Sequence, residues 1–408
     1  MKNENDKISI IIIANATLGS GLSGGDRIFI ELARRWAKSG YSIHIFVWEE
    51  GHDMCSRNDL ENVDYTIWKA ARYKSLGFVP VYLIRTINGF IGALKVQKIP
   101  DNVIVYSASD FLPDSIPAFA LKLKFKDNIN WIAGFYLFAP NPFSPDSPYT
   151  GVRKIKGLFY YLSQLPIYWI VRRYADAVFV TSEPDVKRFI TGKRGKNGIM
   201  IIRGGVDIKP STEYLNSKKV IPKEKRKYDA CFVGRLHPQK GVLELIDIWA
   251  KVCKTKPDAM LAMIGNGPLE KEVREKIKIN NLEEKIDLFG FKDGSTKFEI
   301  FKMSKLMVHP AIYDSGGMAA AEGMAWGLPG VSFDLEALRT YYPKGMLKVP
   351  PGDIMGFADC ILELLRDENI YTNTAIDARS LIIEKWNWEK RANEIMNNLK
   401  ILFKERKH

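Results

Sequence analysis

The chain has 408 residues, 46% of them hydrophobic and 26% charged, which is too long for one ordinary core; domains of roughly 100 to 200 residues give two of similar size, with a cleft expected between them. That composition excludes a disordered or fibrous protein, and the four scattered cysteines, Cys55, Cys231, Cys253 and Cys360, form neither a disulfide framework nor a C-x-x-C metal site. A formal net charge of +13 favours an anionic partner such as a nucleotide, an anionic membrane or a nucleic acid, although a generally lysine-rich surface accounts for the excess equally well.

The apolar run that opens the chain, Ile8 to Ala14, is shorter than a signal peptide's and passes into a glycine-rich loop, so it reads as a buried first strand and the expected location is cytoplasmic. An amphipathic helix from Arg27 to Ser39 and a strand from Ser42 to Trp48 complete a strand, helix, strand unit. Further strands are predicted at Val103 to Tyr106, Trp131 to Gly134 and Ala177 to Thr181. Two apolar stretches, Leu76 to Leu94 and Leu158 to Val171, are not expected to span a bilayer, because the first contains Arg85 and the second is short and interrupted by Pro166. After Gly204-Gly205-Val206-Asp207 a polar, lysine-rich segment to about Lys227 has the composition of an interdomain linker. The rhythm then restarts with strands at Ala230 to Val233, Ala259 to Ile264, Ile286 to Leu288, Leu306 to His309 and Gly330 to Phe333, and a helix at Val242 to Thr255. Alternating strands and helices over two sets predict an α/β protein with two doubly wound parallel sheets. The first domain is placed at 1–205 and the second at 206–385, with a C-terminal helix, about 386–408, whose Trp386 and Trp388 suggest docking on another element.

Ligands of open parallel sheets sit at the carboxyl ends of strands, and three loops fit that rule. The first, Gly19 to Arg27, holds Gly24 and Gly25 followed by Asp26 and Arg27, where glycine permits close backbone approach and a helix start offers N–H groups to an anion. In the second, Gly234-Arg235-Leu236-His237-Pro238-Gln239-Lys240-Gly241, Arg235 and Lys240 add two positive charges where backbone amides already favour phosphate, while His237 before Pro238 reads as a turn residue. The third runs from Asp314 to Pro329; Ser315 is the expected N-cap, Gly316 and Gly317 leave the helix start open, and Gly327 with Pro329 ends it. Asp314 and Glu322 bracket the first two turns, roughly 10 Å apart along a helix axis. A carboxylate such as Glu322 inside an otherwise apolar helix is costly unless it has partners.

The Asp314 to Pro329 segment resembles the E-x7-E signature of family-4 retaining glycosyltransferases, and the loops at Gly24-Gly25-Asp26-Arg27 and Gly234 to Gly241 resemble that family's glycine and phosphate loops in the same order. The resemblance implies a GT-B fold, two Rossmann-like domains facing each other across a cleft. It also implies transfer of a sugar from a UDP- or GDP-type nucleotide sugar to a glycan or lipid-linked acceptor in cell-surface polysaccharide, lipopolysaccharide or glycolipid synthesis. Carried over by position, Arg235 and Lys240 hold the diphosphate, Glu322 the ribose, Asp314 the sugar hydroxyls, and the amides of Gly316, Gly317 and Met318 face sugar and phosphate. Gly265, Phe291 and Lys292 match the base-binding region, and Asp26, Arg27 and Tyr136 fall on the acceptor side. Two departures stand out: aspartate replaces the first glutamate, and no histidine occurs between His52 and His237, where relatives carry one facing the sugar, so that Tyr136 or a neighbour takes that place.

Retention, as implied by the resemblance, has the departing diphosphate accept the acceptor's proton. No cofactor and no divalent metal are expected, and no D-x-D stands at a strand end. The segment 151–173, with Arg153, Lys154, Lys156, Arg172 and Arg173 among aromatics and no acid, suits either the inner face of an anionic plasma membrane or a core helix with basic ends. Nucleic acid is not an expected partner, since no recognised motif is present. A non-catalytic sugar-nucleotide-binding protein, or an epimerase of the same fold, is the alternative.

Overall fold

The computed structural model describes residues 8–17, 22–69, 76–100, 102–145, 147–151, 153–202, 204–314 and 316–405. The chain forms two compact units, one from the residues up to Gly204 together with those from Trp388 onward, the other from Gly205 to Asn387.

In the first unit seven strands, β1 (Ser9–Ile13), β2 (Ser42–Trp48), β3 (Asp64–Trp68), β4 (Val103–Ser107), β5 (Ile129–Gly134), β6 (Ala177–Val180) and β7 (Ile199–Ile201), pair in parallel in the order 3-2-1-4-5-6-7. Helices cover both faces, which is why the central strands are apolar throughout. Ile10, Ile12, Ile104 and Tyr106 enter the core on one face, with Phe29, Leu32 and Trp36 of the helix Gly24–Lys38. Val103, Val105 and Trp131 enter the other, with Ala118, Leu121 and Val171. The helix Gly24–Lys38 starts at Ser23, whose hydroxyl accepts from the Asp26 amide while Asp26 reaches back to the Ser23 amide, a reciprocal capping box. The C-terminal helix, Trp388–Glu405, docks on it: Trp388, Ile395 and Leu399 join the first core, and Trp36 Nε1 donates to Ala392 O at 3.1 Å.

The second unit repeats the plan with six strands, β8 (Tyr228–Val233), β9 (Leu261–Ile264), β10 (Ile286–Leu288), β11 (Ser304–His309), β12 (Gly330–Phe333) and β13 (Met346–Val349), in the parallel order 10-9-8-11-12-13. Trp386 stands one residue before the end of this unit, stacked on Tyr342 with ring centroids 5.4 Å apart. The two tryptophans predicted to dock thus belong to different units. The segment read as a linker is not free chain: it contains the helix Lys209–Leu215, and Arg379 donates to Ser211 Oγ at 2.9 Å and to Thr212 Oγ1. In both sheets the chain reverses its winding between two neighbouring strands, β1 and β4 in the first unit and β8 and β11 in the second.

Candidate functional site

The reversal between β8 and β11 opens a crevice beyond their carboxyl ends, and the loops there are tied together by backbone hydrogen bonds. Gly234 N donates to Ile264 O at 3.0 Å, Leu236 N to Asn266 O at 2.9 Å, Gly265 N to Gly290 O at 2.8 Å, and Ile312 N to Gln239 O at 3.1 Å. The approach is so close that a Cβ on Gly265 (φ +144°) would stand 1.8 Å from Gly234 O, and one on Gly241 (φ +62°) 1.8 Å from Pro310 O. Gly265 and Gly241 are therefore required by the packing of these loops, whereas a Cβ on Gly234 would meet the Phe232 ring at 2.8 Å.

Asp314 lies at the centre. Its Oδ2 meets Lys240 Nζ at 2.5 Å and His309 Nε2 at 3.0 Å, while Oδ1 accepts from the amides of Gly316 and Gly317, both at 3.2 Å. An ionised carboxylate only accepts, so Nε2 of His309 carries the proton. Burial pushes the Asp314 carboxyl up, but Lys240 and His309 outweigh it and hold the group well below the usual carboxylate range. The Gly316 and Gly317 amides, expected to face sugar and phosphate, here donate to Asp314, whose side chain is one methylene shorter than glutamate and folds back on its own loop. Ser315 lies outside the described residues. The helix begins later than expected, at Met318, with Gly317 in the left-handed region as its N-cap, so Asp314 stands ahead of the helix and the axial spacing argument does not apply to it.

Glu322, on the helix Met318–Met324, is held from a third strand end. Lys297 Nζ lies 2.9 Å from Glu322 Oε2 and 2.8 Å from Asp293 Oδ1, the cap of the helix Gly294–Lys302 that follows β10. Lys297 is buried, with only 7% of its side chain exposed. Neither Lys297 nor His309 was among the predicted site residues. The same strand end carries Phe291, whose side chain is exposed, and partly buried Lys292, while Met318 is partly buried at the helix start. Arg235 is exposed and makes no ion pair among the described residues. The His237 ring caps its turn through Nδ1, which accepts from Gln239 N at 3.3 Å, as read from the sequence.

The first unit's crevice, beyond β1 and β4, gathers the predicted acceptor-side residues with different roles. Asp26 is largely spent on structure, accepting from Thr17 Oγ1 at 2.9 Å and Ser23 Oγ at 2.6 Å. Arg27 follows it, partly buried, on the same helix. Tyr136 is buried; its hydroxyl meets that of Tyr106 and its ring lies against Gly25, where a Cβ would come within 3.2 Å of Cδ2, next to Gly24 at the helix start. Tyr136 is a wall of this crevice and presents no free hydroxyl. Two buried carboxylates line the same end: Asp114 accepts from Ala16 N and Ser109 Oγ at 2.8 and 2.5 Å, and Asp110 from Gln164 Nε2 at 2.7 Å. Burial raises the first to about 8 and the second to about 6.

Two doubly wound units with paired switch-point crevices define the GT-B class, and comparison with solved structures agrees. The chain superposes on Staphylococcus aureus TarM, described with UDP, at a TM-score of 0.71 over 97% of its length and 99% of that chain at 13% identity. It superposes on Anabaena HepE in complex with UDP and glucose at 0.69, covering 96% and 99% at 14% identity. Residues 214–381 match the family Glycosyl transferases group 1, and through them the chain carries a domain of that family. Over 169 residues it is 30% identical to the phosphatidyl-myo-inositol mannosyltransferase of Mycobacterium leprae, covering 40% of this chain and 44% of the relative. The chain spans less than half the length of the first curated relatives it matches, between 41% and 49%.

Proposed function

We propose that this protein is a retaining glycosyltransferase that moves a sugar from a nucleoside-diphosphate sugar to a glycan or lipid-linked acceptor in the cytoplasm, in the synthesis of a cell-surface polysaccharide, lipopolysaccharide or glycolipid. The observation that carries the reading is the Lys240–Asp314 pair at the switch point of the family-matched unit, with Glu322 held separately by Lys297 on the helix that follows β11. An ammonium has three donors, and Lys240 places one on Asp314, leaving capacity for a diphosphate oxygen. Arg235, exposed and without an ion pair among the described residues, supplies a second cation. Together they neutralise the charge that develops on the departing diphosphate. Glu322, oriented by Lys297, accepts from ribose hydroxyls, and Phe291 lies at the strand end expected to receive the base. Asp314 keeps Lys240 in place, and its shortness is where sugar choice departs from relatives with glutamate. The departing diphosphate receives the acceptor's proton, so no protein nucleophile, metal or further cofactor takes part.

UDP-bound structural neighbours and a mannosyltransferase among the relatives support this reading over an epimerase. The test is a panel of nucleotide sugars scored for nucleoside diphosphate release, with and without membrane extract as acceptor source, and for the anomeric configuration of the product. Release with one donor and a product of unchanged configuration supports the proposal; donor binding without release in any combination favours a sugar-nucleotide-binding protein.

A further inference from the structure

The helix Phe78–Lys95 of the first unit is built inside out for a protein surrounded by water. Its outward stripe, Val79, Leu83, Ile87, Phe90, Ile91 and Leu94, is wholly apolar and exposed, at the three- and four-residue spacing of one helix face. Leu76 and Phe78 extend the stripe and, like Ile87, are more than half exposed. Its one internal charge points inward: Arg85 is buried, donating to Asn15 O at 3.1 Å and Thr17 O at 2.9 Å and meeting Glu50. From Val79 to Leu94 the stripe runs for roughly 24 Å at 1.5 Å per residue, more than scattered exposed apolar residues account for. The helix does not cross a membrane; among the described residues none is long and apolar enough.

What borders the stripe decides what covers it. Between Leu76 and Pro100 the sequence has no acidic residue. At one end exposed Lys124 donates from Nζ to Leu94 O at 2.6 Å, beside exposed Leu123. At the other, Phe78 and Tyr82 meet Phe159 with ring centroids 6.1 and 5.6 Å apart. This joins the stripe to the helix Arg153–Tyr174, which has five basic residues, no acid, and an exposed Trp169 under Arg172. An apolar strip edged by cations and aromatics matches the interface of an anionic bilayer. A second copy is a poorer occupant, because pairing two such faces sets like charges against each other.

We infer that the outward face of Phe78–Lys95 lies in the surface of an anionic membrane, with Arg153–Tyr174 as its basic flank. This moves the centre of the membrane contact from the segment 151–173, whose Ile167 and Val171 are core, to the neighbouring helix. The inference does not rest on sugar transfer, and its test needs no donor. The full chain is floated with vesicles of phosphatidylcholine alone and of equal parts phosphatidylcholine and phosphatidylglycerol. Binding is expected on the mixed vesicles and to be weaker on the neutral ones. Ile87→Ser and Phe90→Ser are each expected to lower partitioning about tenfold with the thermal unfolding midpoint unchanged. Lys124→Gln is expected to lower it about fivefold on mixed vesicles only. Unchanged partitioning in all three variants overturns the inference. So does absence of vesicle binding together with a concentration-dependent dimer, seen by sedimentation velocity, that Ile87→Ser dissociates.

Discussion

Replacing Lys240 by methionine keeps the unbranched stem but for its terminal atom and removes the charge, leaving Asp314 with His309 and the Gly316 and Gly317 amides among the contacts described. Asp314 keeps only 8% of its side chain exposed, so the lost partner is felt; Lys240 is 28% exposed, so solvent screens part of the pair. A charge-assisted hydrogen bond of this kind is worth about 2 kcal/mol, which corresponds to a fall of about 4–8 °C in the unfolding midpoint of a unit this size. The sign with pH follows from Asp314. Its depressed carboxyl gives stability that is present above the usual carboxylate range, about 3.9, and lost as pH falls through the lower folded value. In Lys240→Met burial is less opposed, the carboxyl titrates higher, and protonation relieves the less compensated buried charge. The gap between wild type and variant is therefore widest near neutral pH and closes below about pH 4. Scanning calorimetry across that range, with nucleoside diphosphate release measured on the folded variant, tests both parts. Release is expected to fall about a hundredfold or more. A stability gap independent of pH, or unchanged release, refutes the reasoning.

Lys297→Met leaves Glu322 and Asp293 without their shared cation and is expected to cost about 2–3 kcal/mol in urea unfolding; adding Glu322→Gln should restore part of that stability but not nucleotide affinity. Asp114, raised to about 8, holds a proton in the folded state that the unfolded chain releases near pH 4, so its contribution is full below that pH and declines as pH rises to about 8. Asp114→Asn, which keeps an acceptor for Ala16 N, should flatten the stability profile between those limits; an unchanged slope contradicts the assignment. Nucleoside diphosphate release should be indifferent to EDTA, and a loss restored by magnesium or manganese would count against a metal-independent reaction.

Much of the frame was legible because both sheets are buried on both faces: runs such as Ile10 to Ile13 and Val103 to Tyr106 announce central strands. The strands left out, β3, β7 and β13, all lie at sheet edges, where burial is less complete or the strand is only three residues long. The candidate residues on glycine-rich loops, Lys240 and Asp314, stand out by residue type and position, and the structure pairs them. Lys297 could not, because on the segment Gly294–Lys302 a lysine reads as solvated and its burial depends on Glu322, 25 residues further on. His309 left a signal, a histidine closing an apolar strand five residues before Asp314, and its meaning needed the distance. The stripe on Phe78–Lys95 was visible only as apolar composition; which face Arg85 occupies is a tertiary fact.

The placement of the donor site is tested most directly by calorimetric titration of the nucleoside diphosphate matching the donor found in the panel into wild type, Lys240→Ala and Glu322→Ala. The account predicts saturable one-to-one binding to wild type and affinity at least about tenfold weaker in each variant, with both variants folded. Equal affinity in all three proteins would contradict it, because the nucleotide would then bind away from the crevice between β8 and β11.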